Sequence, residues 1–299
     1  MPTALPPAAR DALLAWYDAR GRQIAFRASR DPYAILVSEV MAQQTQISRV
    51  VPAWIAFLER FPTLQTLAAA TPAEVVRAWR GMGYDRRALN LRRAAQAMVV
   101  EHGGRLPEDV AALERLPGIG PYTARAVAAI AFGRPVGAVD TNVRRVLGRA
   151  LGLGAGASPA ATRAMQAAAD ASIEPARPGD WTHAVMDLGA TICRPRSPRC
   201  ADCPIARWCR SAGEARPAKR PEPTAKRPSV PFESTTRWLR GRILDRLRSA
   251  DEAAWTTIDG PIGGHDAAAV TKAVAALASD GLIEIDAEGD RLTARLATG

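Results

Sequence analysis

Lysine is almost missing from this chain. Of its 40 basic residues only Lys219, Lys226 and Lys272 are lysines, so the first two-thirds of the sequence has none. Over that stretch no lysine amine is at hand for Schiff-base chemistry. Cysteine is confined to four positions in one short segment. No run approaches the roughly 20 uncharged apolar residues of a membrane helix, so no membrane partner is expected. Met1 to Arg10 has no basic stretch followed by an apolar core, so no secretory leader is expected. These absences point to a reducing, cytoplasmic (nucleoid-associated) setting. Cysteines there serve as metal ligands more often than as disulfides. Hydrophobic residues at 47% and charged residues at 23% exclude wholesale disorder and collagen-like structure.

What is present is positive charge. Lys and Arg total 40 against 30 Asp and Glu, for a net charge of +10 and a pI near 10.3. A polyanion is the natural partner, and nucleic acid the foremost one. The length of 299 residues suggests two domains or one large one.

The chain divides into three parts. Residues 1–212 read as helical, with apolar residues at helical spacing in Asp11 to Tyr17, Val50 to Arg60, Ala88 to Val100, Glu108 to Leu116, Tyr122 to Phe132 and Asn142 to Leu151. Pro72 to Arg80 begins behind Thr71, which can cap it, with Pro at the first helical position and Glu74 in the opening turn. Residues 213–233 are rich in Pro, Lys and Arg and read as an extended linker that either touches phosphates or is a solvated spacer. In residues 234–299, helices are expected at Arg237 to Leu247 and Asp266 to Asp280. Two short strands, Leu282 to Ile285 and Arg291 to Arg295, would follow. Helices followed by a hairpin suggest a winged-helix-like module. The fold class is mainly α with a small α+β tail.

Cys193, Cys200, Cys203 and Cys209 follow the pattern C-x6-C-x2-C-x5-C. Clustered thiolates hold either a tetrahedral zinc or a [4Fe-4S] cluster. A zinc ribbon usually pairs two C-x2-C knuckles, and only one exists here, so the spacing leans toward the bulkier cluster. Arg194, Arg196, Arg199, Arg207 and Arg210 would offset part of the thiolate charge and could face a phosphate backbone.

Leu116-Pro117-Gly118-Ile119-Gly120 lies between two helical stretches. Its glycines permit a tight turn. Such a turn offers backbone N–H groups to a phosphate at the start of the next helix. Asp140 lies 20 positions after Gly120 and has two readings, a helix N-cap or a free carboxylate. In the second reading Asn142 caps instead and leaves Asp140 to face a ligand. Glu39 is a single acid inside the apolar run Tyr33 to Met41. Buried, its pKa would rise into the range of a general acid. The pattern alone favours the wet face of an amphipathic helix. Gln43, Gln44 and Thr45 form a polar run suited to base edges or to wedging into a base stack. Tyr84, after Gly81-Met82-Gly83, is a second wedge.

Taken in order, Ser38-Glu39-Val40-Met41 with Gln43 to Gln46, Gly83-Tyr84, Leu116 to Gly120, Val139-Asp140-x-Asn142-Val143-x-Arg145-Val146, Met186-Asp187-Leu188-Gly189-Ala190 and the cysteine loop resemble the helix-hairpin-helix DNA glycosylases, specifically the MutY-type adenine glycosylases. The resemblance covers roughly residues 10 to 212. It implies a two-lobed helical fold with double-stranded DNA as partner and a [4Fe-4S] cluster in the loop 193–209. It also implies excision of adenine mispaired with 8-oxoguanine or guanine by a monomeric enzyme. Glu39 would protonate the adenine ring, and Asp140 would stabilise the sugar cation. Tyr122 would line the base pocket, and Gln44 and Tyr84 would enter the stack. Related bifunctional enzymes carry a lysine where Tyr122 stands, so monofunctional chemistry is implied. Ile24-Ala25-Phe26-Arg27 stands where the family reads Leu-Pro-Trp-Arg, and His183 where it carries Gln or Glu. The family's Nudix-like C-terminal domain is not recognisable. Two other readings therefore stay open: a glycosylase for thymine or uracil opposite guanine, or for hypoxanthine, and a non-catalytic iron–sulfur DNA-binding protein.

Overall fold

The structure, a computed structural model, describes residues 3–154, 156, 158–213, 230–251, 254–288 and 291–299. Most of the expected linker, residues 214–229, lies outside the described residues. Thirteen α-helices and one small sheet are described, and the chain separates into two compact units. Among the described residues no helix is long and apolar enough to cross a membrane.

The first unit comprises residues 1–39, 106–115 and 119–224. It holds α1 (Pro7–Arg20) and most of α2 (Pro32–Ala42). The second unit takes residues 40–105, 116–118 and 225–299. Its helices are α3 (Ile47–Arg60), α4 (Leu64–Ala69), α5 (Pro72–Ala78) and α6 (Arg86–Glu101). The chain then returns to the first unit for α7 (Val110–Glu114), α8 (Pro121–Phe132), α9 (Thr141–Leu151), α10 (Pro159–Ser172) and α11 (Pro178–Thr191).

Local chemistry sets the helix ends. Thr71 accepts from the Glu74 amide, the cap anticipated at α5, and the Glu74 side chain returns to the Thr71 amide to complete a capping box. Asp109, Asp140 and Ser158 cap α7, α9 and α10. Between α7 and α8, Gly118 has φ +79, and a Cβ there would stand 2.6 Å from the Asn90 side chain. Only glycine satisfies both demands. No side chain caps α8, which begins at Gly120 with Pro121 in its first turn.

The core of the first unit joins Leu13, Val143, Leu147, Trp181, Val185 and Leu188 from α1, α9 and α11. Each such fully buried apolar side chain contributes about 1.5–3 kcal/mol. At Gly189 of α11 a Cβ would meet the Asn142 Cβ at 2.6 Å, so glycine lets α9 and α11 approach closely.

The C-terminal segment contributes α12 (Thr236–Ser249), β1 (Thr256–Thr257), α13 (Ala267–Ser279), β2 (Ile283–Glu288) and β3 (Arg291–Leu296). The antiparallel sheet has the order β1-β3-β2, with Ile285 opposite Ala294. This is the expected winged-helix-like arrangement with one short strand more than the sequence suggested. Its core is shared: Ala73, Val76 and Leu89 of α5 and α6 join Leu239, Ile243, Val270, Val274 and Leu296. The Ala73 amide donates to the Ala297 carbonyl at 2.8 Å. Arg248, nearly buried, pairs with Asp85 and donates to the Val76 carbonyl.

Candidate active site

Glu39 sits near the end of α2. Every residue from Tyr33 to Met41 is buried, Glu39 included at 8% exposure. This corrects the wet-face expectation: the helix is enclosed on all sides, so it has no solvent face for the acid. Burial, the largest cause, pushes the Glu39 carboxyl up to about 7. A hydrogen bond from Tyr122 and the charge of Arg27 pull it down, while the charge of Asp140 adds to the rise.

Tyr122, in the first turn of α8, donates its hydroxyl to Glu39 Oε2 at 3.2 Å and lies 3.9 Å from Met186 Sδ. Burial, then the charges of Glu39 and Asp140, hold its phenol well above the usual tyrosine range. It is a fixed donor at any ordinary pH.

Of the two readings of Asp140, the structure shows the helix cap. Its Oδ1 accepts from the Val143 amide at 2.6 Å and caps α9. Its Oδ2 accepts from Asn142 Nδ2 at 2.9 Å. The expectation that Asn142 would cap is corrected, because Asn142 holds the cap residue instead. Asn142 is in turn held by Arg145, whose Nη2 donates to Asn142 Oδ1 at 2.8 Å and whose Nε donates to the Cys193 carbonyl at 2.8 Å. The sequence marked Arg145 as a motif position without a role, and its contacts supply one: it ties Asn142 to the cysteine loop.

Arg27 is buried against Asp187 with two hydrogen bonds of 2.8 and 2.9 Å. Asp187 is wholly buried and also accepts from the Arg22 amide and side chain. Burial works against both charges, but their hydrogen bonds outweigh it. Arg27 is held above its ordinary pKa and Asp187 below. His183, on α11, is 8% exposed, and burial followed by the Arg27 charge drives its imidazole down to about 3. A neutral ring of this kind can donate or accept at a base edge without carrying charge. Glu39, Tyr122, Asp140, Arg27 and His183 thus fall within one unit.

Gln43, Gln44, Thr45 and Tyr84 belong to the other. Gln44 has φ +55 and Tyr84 φ +50, the only non-glycine residues with positive φ among those described. Both are exposed. One guanidinium ties their turns together. Arg87 donates to the carbonyls of Val40 (2.9 Å), Gln43 (2.5 Å) and Gly83 (3.1 Å) and to Thr45 Oγ1 (3.2 Å). Strained backbone held by over-determined contacts is a recurrent feature of ligand-handling loops.

All four cysteines line one cavity of about 990 Å³ in the first unit, together with Arg144, Arg145, Arg149, Arg199 and Arg210. Burial, followed by the neighbouring thiols, pushes Cys203 up to about 11. Arg149 donates to Cys193 Sγ at 3.3 Å. Of the arginines expected around the loop, Arg199 and Arg210 line the cavity, while Arg207 stacks on Trp208 with its guanidinium 3.9 Å from the ring centre. Arg145 and Arg149 of α9 complete the basic lining and were not anticipated. Four thiols in a basic, roomy enclosure suit a polynuclear thiolate-bound group.

Comparison with known proteins identifies the family. A model of the HhH-GPD superfamily base excision DNA repair proteins matches residues 37–169. The adenine DNA glycosylase of Mycolicibacterium smegmatis is 43% identical over 280 residues, covering 93% of this chain and 93% of that protein. The human adenine DNA glycosylase is 42% identical over 214 residues, 68% of this chain and 39% of the human protein. Among solved structures, a thermostable thymine-DNA glycosylase superposes with a TM-score of 0.63 at 28% identity, covering 67% of this chain and 93% of that one. A non-covalent endonuclease III–DNA complex superposes at 0.57 and 25%, covering 69% and 94%. On sequence and fold together, this chain belongs to the adenine DNA glycosylase family of the helix-hairpin-helix superfamily.

Proposed function

We propose that the protein hydrolyses the N-glycosidic bond of adenine mispaired with 8-oxoguanine or guanine in double-stranded DNA, acting as a monomer and without lyase activity. The observation that carries this reading is the buried Glu39, titrating near neutrality, bonded to Tyr122 and sensing the charge of Asp140.

The chemistry follows from those groups. Adenine leaves poorly as an anion. Neutral Glu39 transfers its proton to a ring nitrogen of the extruded base, so that the C1′–N bond breaks with the electron pair going to a neutral leaving group. Positive charge then develops on the deoxyribose. The Asp140 carboxylate, fixed by Val143 and Asn142, stabilises it until water adds at C1′ and yields its proton to the Glu39 carboxylate, which restores the acid. Tyr122 orients the acid. Extrusion costs a few kcal/mol and is cheapest at a mismatch. Gln44 and Tyr84, exposed on strained turns, are suited to fill the stack.

Two features support the remaining assignments. Tyr122 occupies the position at which bifunctional relatives carry lysine, which favours hydrolysis alone. The cysteine loop is read as holding a [4Fe-4S] cluster through Cys193, Cys200, Cys203 and Cys209. The single C-x2-C knuckle and the roomy basic cavity around the four thiols support the cluster over one zinc. When bound, the cluster supplies a charged structural core to the loop.

The test is single-turnover base release from a panel of duplexes, with Glu39→Gln and Asp140→Asn as controls. Adenine release from pairs with 8-oxoguanine and guanine, lost in both variants, is expected. Release of thymine, uracil or hypoxanthine instead, or of no base, overturns the reading. Borohydride should trap little covalent complex; a strong trapped band overturns the monofunctional assignment. About four iron and four sulfide per chain are expected, and stoichiometric zinc overturns the cluster.

A further inference from the structure

Tyr84 has a second holder, and it comes from the C-terminal segment. The Arg237 guanidinium lies 4.1 Å from the centre of the Tyr84 ring, and its Nη1 donates to the Tyr84 hydroxyl at 2.8 Å. Both ends of the side chain are thereby fixed: the ring face by the stacked cation, the phenol oxygen by the hydrogen bond. Arg87 also approaches the ring to 5.5 Å, and the Arg87 amide donates to the Tyr84 carbonyl at 2.8 Å. Even so, Tyr84 remains 41% exposed.

The position of Arg237 argues for a role beyond stability. It is the second residue of α12, whose first turn holds no acid. A cation at that end opposes the helix dipole at a cost of about 0.3–1 kcal/mol. An acid there would favour the helix more. The segment bearing Arg237 is itself pinned. Thr235 caps α12, the Glu233 carbonyl stands 2.9 Å from His265 Nε2, and the His265 ring stacks on Trp238 with centroids 5.8 Å apart. The C-terminal fold therefore presents Arg237 on a rigid mount.

We propose that the C-terminal module, through Arg237, is a positioning element for the Tyr84 wedge and so governs how well the enzyme unstacks the mispaired site. The proposal rests on the reading of Tyr84 as a stack-entering residue. A tyrosine on a left-handed backbone position has costly alternatives nearby. Arg237 selects one of them before DNA arrives, so less ordering is left for binding to supply.

The experiment uses the full chain and a duplex with two alterations. The adenosine opposite 8-oxoguanine carries a 2′-fluoro group, which keeps its glycosidic bond intact. A 2-aminopurine beside the 8-oxoguanine brightens when unstacked. Arg237→Ala should reduce the fluorescence rise by about threefold or more, in line with the loss of part of a stacking contact. Adenine release from the ordinary mispair should fall about fivefold, while affinity for a fully paired duplex stays within about twofold. Tyr84→Phe, which keeps the ring and removes only the hydroxyl, should give a smaller change in the same direction. The double variant should be no worse than Arg237→Ala alone, because the two groups act through one contact. Unchanged fluorescence in Arg237→Ala overturns the proposal. So does an equal loss of fluorescence and of affinity for paired DNA, the mark of a plain phosphate contact. If the parent protein releases no adenine from any duplex, the proposed function fails, while the fluorescence still reports the wedge.

Discussion

The pocket around Glu39 and the paired turns of Gln44 and Tyr84 are built on opposite principles. In the pocket the backbone is ordinary helix and the unusual quantity is protonation: burial lifts Glu39 to about 7 and drops His183 to about 3. In the turns the side chains are exposed and the unusual quantity is backbone conformation, φ +55 and φ +50. A group that moves a proton must be desolvated, whereas a group that enters a base stack must start in solvent and be aimed. The molecule keeps the two requirements on separate elements, so each can be altered without the other.

The sharpest way to break this contrast is to remove the acid. Glu39→Gln should lower single-turnover adenine release by about a thousandfold, with DNA affinity little changed. Tyr84→Ala should lower it by only about tenfold to a hundredfold, mainly through weaker unstacking. Equal losses would mean that the wedge, not the acid, limits the rate. Next in size is a stability effect. Asp187→Asn leaves Arg27 buried without its counter-charge and should destabilise the fold by about 3 kcal/mol, read by urea denaturation. The release rate of whatever remains folded should fall as well.

The pH dependence sharpens the pocket side. Glu39 works protonated, so release should be flat on the acid side and fall about tenfold per pH unit above its pKa near 7. Tyr122 lowers the Glu39 pKa, so Tyr122→Phe should move that alkaline limb upward while reducing the plateau by less than about tenfold. Stability carries the same sign. The carboxyl is protonated to about 7 when folded but only to 4.5 when unfolded. Stability linked to Glu39 is therefore fully present below 4.5 and lost as pH rises toward 7. The melting temperature of Glu39→Gln relative to the parent should climb across that window and level off above it. The smallest effect lies on the other side. Gln44→Gly relieves a left-handed backbone and should stabilise the fold by no more than about 1 kcal/mol, with poorer unstacking of a mispair.

Much of this was legible in the sequence, and the parts that were not have physical reasons. Glu39 and Asp140 stood out through the ordered motifs that carry the family resemblance, and the cysteines through their clustering. The burial of Glu39 did not, since one acid in an apolar run fits either a wet face or an enclosed helix, and only tertiary packing decides. The cap at Thr71 was readable because it is local. Helix α10 was missed because seven of its 14 residues are alanine, which blurs any apolar face. Arg145 was visible as a motif position but its tie to Cys193, 48 positions away, was not, and nothing marked the Arg237 contact with Tyr84 across 153 positions. The tail was expected to be a separate module, and nothing in its pattern announced that α5 and α6 would share its core.

One feature of the first unit reaches further than its size suggests. A relay of three side-chain hydrogen bonds runs from the Cys193 carbonyl through Arg145 and Asn142 to one oxygen of Asp140. The other oxygen accepts from the Val143 amide. Arg145 also donates to the Gly189 carbonyl of α11 at 2.8 Å, so a single guanidinium fastens the start of α9 to the cysteine loop and to a neighbouring helix at once.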